Sequence, residues 1–238
     1  MRSWYEFFTH IKSKGFDPKT VVDVGVATDT DELYHHFPSA QYLFVEPLAE
    51  FEPSLQQLCK RFNGTYMLAA AGATDGELTL QVSPDLGGTS KFDLVNAEIF
   101  DMKSRTVPQF TIDTLWKALK LSGPALLKVD VQGAELEVLT GAKKTLENFE
   151  VIVLEVGLTE VYVGQPIFHD YIAFMAQRDY VVYDIIHTGY GDTGLLCQID
   201  LVFVKRNGQF RQDLRSITDE EKARGLNQYK GITRNDNI

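Results

Sequence analysis

Lys128 and Asp130 flank the end of one apolar run, Ala125-Leu126-Leu127-Lys128-Val129-Asp130, and Glu155 stands in another, at residues 151–156. If these runs are neighbouring strands, Asp130 and Glu155 overhang one pocket. Two carboxylates so placed can hold a hard divalent cation, magnesium or manganese, which would bind acceptor oxygens and lower a hydroxyl pKa. The structural alternative is that Asp130 orders its loop and Glu155 pairs with Lys128. Lys128 can act as a base only where desolvation depresses its pKa. His187, at the end of a further apolar run beside a glycine-containing loop, is a third candidate for proton transfer or acceptor contact; its alternative is a capping or surface role.

A second group binds rather than reacts. The run Thr20-Val21-Val22-Asp23-Val24-Gly25 closes on an acid and a glycine and continues Val26-Ala27-Thr28. Gly25 lets the backbone approach a ligand closely, and the next helix start offers free N–H groups. The following strand, Gln41 to Val45, ends at Glu46, an acid suited to accept both hydroxyls of a ribose. A G-x-G-x-x-G turn is absent, so there is no cradle for a pyrophosphate. A nucleoside with a short charged arm suits such a site better than a dinucleotide.

Positioning these residues takes an alternation of strands and helices. Trp4, Phe7, Phe8 and Ile11 predict an amphipathic helix within residues 1–18, packed on a domain spanning 19–206. Strands are expected at 20–25, 41–46, 65–71, 125–130, 151–156, 181–186 and 200–205. Residues 77–82 form an extra strand hairpinned to its predecessor, and 83–105 are irregular. Helices fall at 31–37, 48–62, 111–121, from Gly133 to about 148, and 169–178. This order implies an α/β fold with a mostly parallel seven-stranded sheet, helices on both faces and an antiparallel edge strand. Thr218-Asp219-Glu220-Glu221 resembles a capping box opening a short helix in a polar tail, 207–238.

The stretch Lys128-Val129-Asp130-Val131-Gln132-Gly133-Ala134-Glu135, continuing to Val138-Leu139-Thr140-Gly141-Ala142, resembles the FkbM-type methyltransferase motif K-[IV]-D-[VI]-E-G-x-E-x-x-V-L-x-G-A. Similar matches occur at 22–25, 45–47, 111–115, 153–156 and 200–204, in the family's order, over most of the chain. The resemblance implies a Rossmann-like class I methyltransferase fold and S-adenosylmethionine as methyl donor. It implies transfer to a hydroxyl of a small molecule, a sugar or sugar-like compound. Asp23, Gly25, Ala27 and Thr28 would then border the methionine part, Glu46 the ribose, and Ala70 and Ala71 the adenine, with Asp75 within reach in sequence. Tyr162, Tyr171 and Tyr190 are candidates for a sugar-binding wall. Two departures stand out: Gln132 replaces the usual glutamate, and Asp29 replaces a glycine and is expected to narrow the methionine end.

The formal charge of −10, from 33 acidic and 23 basic residues, opposes a phosphate-dominated nucleic-acid partner. No apolar run approaches the about 18 residues of a membrane span. The N-terminus lacks the pattern of a secretory signal, and Cys59 and Cys197 read as reduced thiols, so the expected location is cytoplasmic. Oligomeric state is not encoded legibly. The competing functions are a non-catalytic adenosylmethionine-binding module, suggested by Gln132 and Asp29, and a dinucleotide-dependent oxidoreductase.

Overall fold

A computed structural model of the chain describes residues 1–95, 101–211 and 222–225. Its strands are β1 (Thr20–Val24), β2 (Gln41–Val45), β3 (Gly64–Met67), β4 (Ala70–Ala71), β5 (Gly76–Val82), β6 (Lys103–Phe110), β7 (Ala125–Val129), β8 (Phe149–Gly157), β9 (Tyr180–Tyr190) and β10 (Leu196–Lys205). The helices are α1 (Trp4–Ser13), α2 (Asp31–His36), α3 (Glu52–Arg61), α4 (Ile112–Ala118), α5 (Glu135–Thr140) and α6 (Phe168–Ala176).

Seven strands form the main sheet in the order β3-β2-β1-β7-β8-β10-β9. From β3 to β8 the neighbours are parallel, and every residue of β1 and β7 is buried, as expected where helices cover both faces. One face packs on α4, α5 and α6 through Ile112, Leu115, Leu139 and Met175. The other packs on α1, α2 and α3 through Phe7, Phe8, Leu33 and Leu55. Helix α1 begins at a Ser3–Glu6 capping box and buries Phe7, Phe8 and Ile11, the stripe its sequence spacing predicts. β10 runs antiparallel to both β8 and β9. The reversed strand therefore lies one place inside the edge, with β9 outermost.

Four expectations are corrected. The strand expected at 65–71 breaks after Met67, and Ala70–Ala71 join a separate three-stranded sheet in the order β4-β6-β5. The strand at 77–82 pairs with β6, not with its predecessor. Lys103–Phe110, polar and interrupted by Pro108, carries too few apolar residues to read as a strand; cross-strand pairing, not patterning, makes it one. Helix α5 stops at Thr140 because Gly141 packs against the Gly72 carbonyl and Asp113 takes the backbone N–H groups of Lys144 and Thr145. In the tail, Phe210 is buried against Phe16 and Tyr183. Residues 222–225 are helical, and the expected capping box lies outside the described residues.

Candidate active site

Where β1, β2 and β7 end, their turns and the small sheet enclose a cavity of about 240 Å³. Gly25, Ala27, Glu46, Asp130 and Gln132 form its polar wall. Leu48, Phe51, Ala70, Ala71, Leu78 and Leu80 form an apolar one. The alternation in β5 turns Leu78 and Leu80 to the same side, which is how a strand outside the main sheet helps build the site.

Glu46 is only 5% exposed. One carboxylate oxygen accepts the Ala27 N–H at 3.0 Å and the other the Leu48 N–H at 2.9 Å. Burial pushes its pKa up, while these two backbone donors and Lys128 pull against that shift. Each oxygen keeps acceptor capacity for a further donor, the requirement for gripping vicinal hydroxyls. An apolar slot beyond a doubly held carboxylate suits a nucleoside.

Gly25 has φ +74°, and a Cβ there would collide with the Asp130 carbonyl oxygen. Its glycine thus lets the β1 turn press against the β7 turn as well as border the cavity. Ala27 also adopts a positive φ, +47°, an uncommon conformation for a residue with a side chain.

Asp23 does not border the cavity. It is fully buried on the α2 face, where one oxygen accepts from Thr30 Oγ1 at 3.0 Å and from the Tyr34 hydroxyl at 2.5 Å. Its other oxygen has no hydrogen bond and faces Lys128 Nζ at 3.3 Å. Lys128 also donates to the Gly25 carbonyl at 2.7 Å and lies 3.7 Å from Asp130. Desolvation alone would depress the lysine pKa, but Asp23 and Asp130 outweigh it and the net shift is upward. Lys128 therefore remains an ammonium and is not a proton acceptor.

Asp130 and Glu155 do come together, but through Gln132. Gln132 Nε2 donates to Asp130 at 2.9 Å and to Glu155 at 2.6 Å, and its Oε1 accepts from the Tyr162 hydroxyl at 3.1 Å. The second Glu155 oxygen accepts from Gln198 Nε2 at 2.7 Å. Burial, then the neighbouring Asp130, Glu135 and Asp200, raise the Glu155 pKa well above the usual carboxyl range. Gln132 has φ +55° and Gly133 φ +98°. That turn is pinned by Glu135, which accepts from the Val131 and Gly133 N–H groups and from the Tyr171 hydroxyl, and by Ser90, which donates to the Gln132 carbonyl.

Other expected residues fall elsewhere. Asp75 accepts from the Thr111 N–H and Thr114 Oγ1 at the start of α4, away from the adenine-sized slot. Thr28 and Asp29 are exposed and do not line the cavity, so Asp29 narrows nothing. His187 faces solvent and Asp200, with 3.5 Å between ring and carboxylate. Of the three tyrosines, Tyr162 bonds Gln132 directly, Tyr171 reaches Glu135 from the core, and Tyr190 is largely exposed. Among the described residues, no group of three or more acid, imidazole or thiol side chains is placed to hold a metal ion. The point between Asp130 and Glu155 is taken by an amide nitrogen, which cannot ligate a cation, so this donor set does not fit one.

The methyltransferase FkbM domain model matches residues 20–182, from β1 into β9. The chain belongs to the FkbM methyltransferase family. It is accordingly an S-adenosylmethionine-dependent methyltransferase, with the strand order of the class I fold. Among solved structures it is similar to precorrin-6y C5,15-methyltransferase from Geobacter metallireducens, with TM-score 0.45, 14% identity, and coverage of 84% of this chain and 88% of that one. Magnesium protoporphyrin IX methyltransferase from Synechocystis, with S-adenosylmethionine bound, gives 0.45 and 12%, over 84% and 76%. Aeropyrum pernix fibrillarin with natively bound S-adenosylmethionine gives 0.46 and 12%, over 85% and 76%. No match is found among curated proteins.

Sequence reasoning missed Gln198 and Ser90, which fix the FkbM site from distant segments. It also missed Leu48, Phe51, Leu78 and Leu80 as walls. The alternation in residues 77–82 was the available signal for the last two; nothing local marks Gln198 or Ser90.

Proposed function

We propose that this methyltransferase methylates a hydroxyl of a small sugar-like acceptor, in a cytoplasmic setting, with Asp130 receiving the hydroxyl's hydrogen bond. S-adenosylmethionine supplies an electrophilic methyl group. Glu46 would hold its ribose, the apolar wall its adenine, and the turns at Gly25 and Ala27 its methionine part. The observation that carries the acceptor reading is the placement of Asp130. It borders the cavity with its side chain 35% exposed, accepts one amide hydrogen from Gln132, and has the Lys128 ammonium at 3.7 Å. Such a carboxylate orients a hydroxyl and takes its proton as the oxygen becomes a nucleophile. Gln132 and the pinned turn behind it hold that carboxylate in place, which is the alignment an in-line displacement needs.

The test is an acceptor screen of polyhydroxylated small molecules with methyl-labelled S-adenosylmethionine, alongside calorimetry of cofactor binding. Label on oxygen is expected. Asp130→Asn should retain cofactor affinity while turnover falls about 10²–10⁴-fold, the usual worth of a general base. Label on nitrogen or carbon, or wild-type turnover by Asp130→Asn, would reject this assignment. Cofactor binding without transfer to any acceptor would favour a binding module instead.

A further inference from the structure

We infer that Gln132 closes a divalent-cation site: its side-chain amide occupies the point between Asp130 and Glu155 that a hard cation would take. The inference stands on the side-chain geometry alone and needs neither the acceptor nor the methyl-transfer step.

Two carboxyl groups brought together in a partly buried site need a hydrogen-bond donor, a proton or a cation between them. Magnesium would meet such oxygens at about 2.0–2.1 Å. Here the bridging atom is Gln132 Nε2, at 2.9 Å from Asp130 and 2.6 Å from Glu155, so one amide hydrogen goes to each carboxylate. The nitrogen of an amide offers a cation no usable lone pair, and it fills the space.

Rotating the amide out of the way is opposed from several directions. A flip would set Oε1 against both carboxylates and forfeit its bond from Tyr162. The backbone beneath is held at φ +55° by the Ser90 bond to the Gln132 carbonyl and by Glu135 on either side of the residue. Glu155 cannot swing away without losing Gln198. The bridge is thus built into the turn.

Gln132→Glu keeps the side-chain length and exchanges the donor for an acceptor. Three carboxylates would then converge with no donor among them, and the locus would have to gain a proton or a cation. Oxygen-only ligands select a hard divalent ion. One substitution should therefore convert a cation-free bridge into a cation site.

Manganese titration of the full chain at neutral pH, followed by the electron paramagnetic resonance of free Mn²⁺, tests this. Wild type is expected to take up no Mn²⁺ that depends on Glu155. Gln132→Glu is expected to bind Mn²⁺ at least about tenfold tighter than wild type, and adding Glu155→Gln should return binding to the wild-type level. Uptake by wild type that disappears in Glu155→Gln would overturn the inference, as would Gln132→Glu binding no tighter than wild type. Should Gln132→Glu not fold, Gln132→Ala decides: it removes the bridge without adding charge. Mn²⁺ uptake above wild type that is lost on adding Asp130→Asn supports the inference, and no uptake refutes it. Failure of methyl transfer in any assay leaves these outcomes readable, because no methyl donor or acceptor enters the titration.

Discussion

The ammonium of Lys128 lies 3.3 Å from the carboxylate of Asp23, and both are shut away from water inside the sheet. The Asp23 oxygen that faces it has no hydrogen bond of its own. Removing the cation would strand a buried carboxylate, which typically costs about 3–5 kcal/mol. Lys128→Met should show that loss in chemical denaturation. Near-wild-type stability would mean that Lys128 is not the counter-charge it is taken to be.

Glu46→Ala removes the carboxylate positioned for the ribose. Affinity for S-adenosylmethionine should fall by roughly 1–3 kcal/mol, about five- to 150-fold, through loss of charge-assisted hydrogen bonds. Calorimetry on the folded variant reads this directly. Unaltered affinity would take Glu46 out of the cofactor site.

Four carboxyls, the buried Glu46 and Glu135 and the half-buried Glu155 and Asp200, have folded pKa values above the ordinary range, with desolvation the largest cause in each. The folded state therefore binds more protons than the unfolded chain between that range, about 4, and the raised values. Their contribution to stability is complete below the unfolded pKa and is lost as pH rises through the folded one. Thermal melts should show Tm falling as pH rises above about 5, with a shallower slope in Glu155→Gln. A Tm that instead climbs with pH contradicts the assignment.

Gly25→Ala should be among the least tolerated single changes in the chain. Its φ of +74° disfavours any side chain, and the added Cβ meets the Asp130 carbonyl, a backbone atom that cannot yield alone. Loss of folded protein, or a cofactor site that no longer binds, is the expected result by circular dichroism and calorimetry. A variant that melts and binds like wild type would show that the two turns can separate freely.

The main sheet was legible because its central strands are continuous apolar runs that end on acids, Asp130 and Glu46 among them. Those strand ends also located the cavity. What could not be read was direction. Asp23 follows the same pattern as Asp130, yet its side chain turns to the α2 face and is consumed by Thr30, Tyr34 and Lys128. Gln132 could be recognised as a departure, but its meaning depends on Gln198 and Tyr162, whose approach is set by the long-range placement of β10 and of the segment before α6. The small sheet escaped because β6 is held by pairing rather than by an apolar pattern.

The bond from Trp4 Nε1 to Asp200, 2.9 Å long, joins residues 196 apart in the chain. Beside Asp200, β10 contributes the glutamine that steadies Glu155. During synthesis, then, α1 meets α2 and Phe37 soon after it forms, but its contacts with the ninth and tenth strands close only after nearly the whole domain has left the ribosome. Contacts that span such distances close late, because loop entropy must be overcome before they form. The carboxylate cluster is therefore assembled at the end of folding.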